Sequence, residues 1–175
     1  GYRLVLHIVN RRQRQMCIRD SFNTALGYQA LYGGPSPALN TGTSNTAIGD
    51  NSLFANTSGS MNTGLGSQTL KSNTTGGSNT AVGSQALQLN TTGSDNTSIG
   101  MNSLTSNTTG EKNVAVGKSA LYSNTTGIEN TSVGHGSLYA NTTGGSNVSM
   151  GIWSLSFNST GSNNTAIGTS AAAQN

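Results

Sequence analysis

Large aliphatic residues recur along this chain in pairs five residues apart, and from Asn45 onward the pairs recur every 17 residues. Glycine stands inside each pair, and a polar stretch of Asn, Thr and Ser separates one pair from the next. Nine copies open at Asn23, Asn45, Asn62, Asn79, Asn96, Asn113, Asn130, Asn147 and Asn164, each close to N-T-A-[VIL]-G-x-x-[AS]-L-x-x-N-T-T-G-x-x. The first step is 22 residues, lengthened by an insertion at Tyr32 to Leu39 that holds both prolines of the chain. So short a fixed period makes each copy one turn of an array, unable to bury its apolar residues without its neighbours.

Numbered from the opening Asn, position 4 holds Leu26, Ile48, Leu65, Val82, Ile99, Val116, Val133, Met150 and Ile167. Position 9 holds Leu31, Leu53, Leu70, Leu87, Leu104, Leu121, Leu138 and Leu155, then Ala172. These two columns are the expected core. Glycine at position 5 in every copy, glycine again at position 15 and Asn-rich punctuation predict two short strands and two turns per copy. A helix is disfavoured by those glycines and by having one large apolar pair where an amphipathic helix needs four or five such residues. The expected fold is all-β: a parallel β-solenoid with one coil per 17-residue copy and coils about 4.8 Å apart.

Strand alternation places positions 2 and 4 on one side, expected to be the interior. The small residues at positions 3 and 8 are expected to admit a second surface, such as another chain. Asn columns at positions 1 and 12 can run amide hydrogen bonds up the stack or supply left-handed turn residues. Position 17 reads Asp95, Lys112, Glu129 in successive copies, alternating in sign as stacked coils would favour. Two aliphatic side chains are little apolar bulk with which to order a whole coil, so self-association is expected, as a trimer in preference to a monomer.

Residues 1–22 stand apart from the array. They carry Arg3, Arg11, Arg12, Arg14 and Arg19, five of the eight basic residues, together with the only cysteine, Cys17. The net charge of +3 belongs to this leader, because Lys71, Lys112 and Lys118 are outnumbered by Asp50, Asp95, Glu111 and Glu129 in the repeats. A nucleic-acid partner therefore has no support from charge. Tyr2 to Val9 is too short to span a membrane, and the arginines follow the apolar run, unlike a signal peptide. The string RRQRQMCIRDS resembles translated sequencing adapter, and the leader is read as artefactual or disordered. The array, residues 23–175, halts at position 12 of its last copy with no capping repeat and is read as truncated, a piece of a longer protein.

Catalytic chemistry finds little to stand on. His135 occupies position 6, a variable turn column, and is read as a surface residue. No pair of carboxylates recurs, the many Ser and Thr hydroxyls lack a neighbouring base, and calcium-binding β-rolls need a periodic Asp that is absent. No enzyme activity, cofactor or metal is expected. The N-x-S/T sequons, such as Asn73 and Asn90, arise from the repeat itself. One departure stands out: Ile152, Trp153 and Phe157 fill columns that are polar or small in most copies, and they form the candidate binding surface.

NTAVGSQAL at Asn79 to Leu87, NVAVGKSAL at Asn113 to Leu121 and NTAIGTSAA at Asn164 to Ala172 resemble the head repeats of YadA-like trimeric autotransporter adhesins. With NTTG between copies, the longer unit also looks like repeats of bacteriophage tail fibres. The resemblance implies a left-handed parallel β-roll, assembled as a homotrimer and used for attachment at a bacterial cell surface or virion tail. A host-cell glycan or protein would be the partner, with no membrane insertion by this segment. The copies are longer than is usual for adhesin heads, and no anchor or stalk is seen. The alternative from another class is an ice-binding solenoid with Thr and Asn ladders. A polysaccharide-degrading tailspike would need clustered acids, which the repeats lack.

Overall fold

The computed structural model describes residues 22–34 and 40–173. The leader up to Ser21, the loop segment 35–39 and the last two residues lie outside the described residues, so the expectations for the leader and for the insertion's prolines fall outside them too.

Each copy contributes one strand of three residues: β1 (Thr24–Leu26), β2 (Thr46–Ile48), β3 (Thr63–Leu65), β4 (Thr80–Val82), β5 (Thr97–Ile99), β6 (Val114–Val116), β7 (Thr131–Val133), β8 (Val148–Met150) and β9 (Thr165–Ile167). They form one sheet in sequence order, every neighbouring pair parallel. Equivalent residues pair throughout, as in Val82 with Ile99 and Ile99 with Val116. Parallel pairing of consecutive strands requires the chain to come full circle between them, so each copy is one coil of a β-solenoid.

Hydrogen bonds run from coil to coil on the remaining sides as well. Leu104 N–H donates to the Ala120 carbonyl at 2.9 Å, Ser106 N–H to Tyr122 at 3.1 Å and Thr108 N–H to Thr125 at 2.9 Å. The second strand expected per copy does not form, because position 9 is a corner. Its leucines hold φ between 47° and 52° from Leu31 to Leu155, in the left-handed region, and positions 7 and 17 share that conformation. A leucine held so loses roughly 1–2 kcal/mol. Full burial of its side chain returns about 1.5–3 kcal/mol, which offsets the strain.

The interior is narrow and half polar. Leu53, Leu70, Leu87, Leu104, Leu121, Leu138 and Leu155 are buried, with Leu31 packed partly buried against them. Opposite lie the small residues of position 3, such as Ala47, Ala81, Ser98, Ala115 and Ser132. Positions 3 and 8 therefore meet each other across the coil and do not receive a second chain. Ser98 Oγ is hydrogen-bonded to Ser103 Oγ, Ser137 Oγ donates to Ser149 Oγ at 2.7 Å, and the Ser52 and Thr69 hydroxyls lie 2.8 Å apart.

Both Asn columns form ladders, and neither supplies the left-handed corners. In the position-1 column, Asn96 N–H donates to Asn79 Oδ1 at 3.0 Å, and Asn96 Nδ2 donates to the Gly110 carbonyl at 2.9 Å. In the position-12 column, Asn107 Nδ2 donates to Asn90 Oδ1 at 2.8 Å and to that same Gly110 carbonyl at 2.9 Å. The two columns converge on one carbonyl, and a methyl group on Gly110 would meet Asn124 Nδ2 at 3.0 Å and lie closer still to Asn107 Oδ1 and the Gly127 carbonyl. Position 15 is glycine for want of room. These asparagines are fully buried and mutually satisfied, the condition for placing amides inside a fold. Asn40 is the exception. Its copy returns from the insertion one threonine short, and its Oδ1 has no partner among the described residues.

Candidate functional site

The aliphatic residues of position 4 are not core. Leu26, Leu65, Ile99, Met150 and Ile167 are exposed, and Ile48, Val82, Val116 and Val133 are half-buried. Alternation was expected correctly but with the wrong phase: position 3 points in, so positions 2 and 4 point out. The reason is volume. Each coil already holds a leucine from its corner and an Asn pair on its far side, which leaves room for Ala, Ser or Gly alone on the sheet's inner face.

The outer face of the sheet thus carries two in-register columns nine residues long. One is Thr24, Thr46, Thr63, Thr80, Thr97, Val114, Thr131, Val148 and Thr165; the other is the aliphatic column of position 4. Among the described residues nothing covers this face, and Ile99 on it keeps 41% of its surface in solvent. In-register parallel pairing makes it uninterrupted, unlike the scattered apolar residues of an ordinary surface.

A second surface lies on the side of positions 6, 7 and 10, in the coils that begin at Asn113, Asn130 and Asn147. Tyr122 and Tyr139 occupy position 10 of successive coils and stack at 5.1 Å between ring centroids, 4° from parallel. Trp153 comes from position 7 of the next coil and leans back along the rod. Its ring lies 5.6 Å from Tyr139, tilted by 58°, and 5.1 Å from the His135 ring, tilted by 49°. It can do so because the residue one coil below it is Gly136: a methyl group there would be driven into the indole. The column holds Gln, Asn or Ser in most other coils. A further stacked pair, Tyr32 with Phe54 at 5.5 Å, sits in the same position-10 column in the first two coils, at the other end.

Comparison with models of known families, with curated proteins and with solved structures found no match.

Of the expected binding residues, Trp153 is joined to an aromatic group, 39% exposed. Ile152 is exposed in the column of His135, and Phe157 is 67% exposed but takes no part in these ring contacts. Tyr122, Tyr139 and Gly136 were not singled out from sequence; His135 is an exposed turn residue as expected, and its ring also meets Trp153. Two signals could have found them: tyrosine repeating at position 10, and glycine replacing a polar residue one copy before the tryptophan. Among the described residues no three His, Cys, Asp or Glu side chains are grouped to hold a metal ion, and no helix is long and apolar enough to cross a membrane.

Proposed function

We propose that this chain is an attachment module of a bacterial surface adhesin or a phage tail fibre, non-enzymatic, working as a self-associated rod in the manner that its repeats' resemblance implies. The observation that carries the proposal is the uncovered sheet face, where an aliphatic column runs unbroken over β1 to β9. Three copies set around a common axis would each turn this face inward and hide it from water, which the hydrophobic effect favours. The remaining sides, rich in Thr, Ser and Asn hydroxyls and amides, would then face the partner surface.

Sedimentation equilibrium tests the assembly and adhesion of chain-coated beads to intact cells tests the use. A homotrimer that dissociates when Ile99 and Val116 are both changed to Lys, with beads adhering, is the expected result. A monomer at every concentration together with non-adherent beads defeats the proposal.

A second function is favoured by the same face. A threonine column beside an aliphatic column, both at the sheet's regular spacing, is the kind of flat polar–apolar lattice an ice-binding solenoid would use. Thermal hysteresis decides it: freezing-point depression without ice shaping or hysteresis ends that alternative.

A further inference from the structure

Building a coil does not require aromatic side chains. The three coils from Asn62 to Lys112 contain no Phe, Trp or Tyr, yet their strands, ladders and buried leucines match those of the other coils. The Tyr122, Tyr139, Trp153 and His135 group is therefore an addition to a finished scaffold. Its geometry is costly to the chain. Trp153 is a bulky residue held at φ 55°, where position 7 otherwise carries Gln, Asn, Ser or Gly. The neighbouring coil has given up its own side chain at Gly136 to seat the indole.

We infer that this group is a carbohydrate-binding platform for hexopyranose units of a surface glycan, an inference that rests on the attachment function proposed above. Pyranose rings present patches of axial C–H bonds whose partial positive charge is drawn to the negative face of an aromatic ring. Tyr122 and Tyr139 lie parallel, ring over ring, at successive coils, and Trp153, tilted by 58° to Tyr139, ends the row and stays 39% exposed. The tyrosines and His135 back the indole and hold it in one orientation, so a sugar on its exposed side meets a fixed ring. Polar edges flank the group: Lys118 and His135 stand at position 6 of successive coils, and the phenol hydroxyls and the indole N–H are hydrogen-bonding ends on apolar bodies. That mixture of apolar face and hydrogen-bonding rim suits a sugar better than it suits an apolar peptide.

The chain itself supplies the controls. Trp153→Gln restores the residue found at Gln68 and Gln85, and Tyr139→Gln restores that at Gln88, so both variants keep a coil the array already uses. Trp153 is also the only tryptophan, so its emission reports on this place alone. The test is retention of the full chain on immobilised oligosaccharides ending in glucose, galactose, mannose, N-acetylglucosamine or rhamnose. The expected result is retention on at least one, a shift of Trp153 emission by the same oligosaccharide in solution, and affinity lowered about tenfold in W153Q. Retention on none, equal retention of W153Q, or an emission that does not respond overturns the platform. Beads that adhere to cells without any saccharide retention would overturn the platform alone. Saccharide retention by a chain whose beads do not adhere would support the platform and count against attachment.

Discussion

Two aliphatic columns run the length of this molecule, and they live in opposite environments. Position 9 is all leucine from Leu31 to Leu155, held at strained corners and, from Leu53 on, withdrawn from water; position 4 varies among Leu, Ile, Val and Met on a regular strand and faces out. Chain composition alone hardly separates them. What separates them is shape. An interior that accepts one side-chain form per coil selects one residue, whereas an outer face tolerates any aliphatic of sufficient bulk. Between these two aliphatic columns, uniformity thus marks the enclosed one and variety the free one.

The sharpest way to break that contrast is to cut the same kind of residue from each column. Leu104→Ala should cost about 2–5 kcal/mol, read from chemical denaturation, because a cavity opens between the walls of a rigid coil. Next comes the amide ladder. Asn96→Ala removes the donors to Gly110 and Asn79 and the acceptor of Asn113 N–H, and a loss of about 2–3 kcal/mol is expected from the buried groups left unpaired. Ala115→Val probes the inner sheet wall from the other direction, overfilling it for a cost of about 1–3 kcal/mol in the same measurement. Smallest is Val116→Ala, a neighbour of Ala115 that points outward; about 0.5 kcal/mol or less is expected for the isolated chain. Should Val116→Ala instead destabilise as much as Leu104→Ala in dilute, monomeric solution, the two columns would not differ as described.

The coil itself was legible in the sequence, for a physical reason. A period of 17 with glycine fixed at position 5 and Asn at positions 1 and 12 admits little besides stacked turns, and the in-register pairs from Thr24 with Thr46 onward follow it. The inward phase of the strand was not legible. Both phases place one apolar column on each side of a three-residue strand, and only the volume left by the Leu and Asn columns decides between Ala115 and Val116. Leucine at the position-9 corner was equally hidden, since intrinsic preference argues against leucine at positive φ and burial overrides it. Of the aromatic site, Trp153 was visible as an oddity within its column. Its seat on Gly136 lies in the following relation between copies, which inspection of one copy at a time passes over.

The convergence of two asparagine columns on each position-15 carbonyl has a genetic consequence. Every such junction is made only with the coil before and the coil after, and each is chemically the same as the next. Excising or duplicating a unit of 17 codons anywhere between Asn62 and Lys112 would join equivalent positions and leave both asparagine ladders with partners. Recombination could therefore lengthen or shorten the rod in steps of about 4.8 Å, a molecular ruler whose graduations are already cut into the gene.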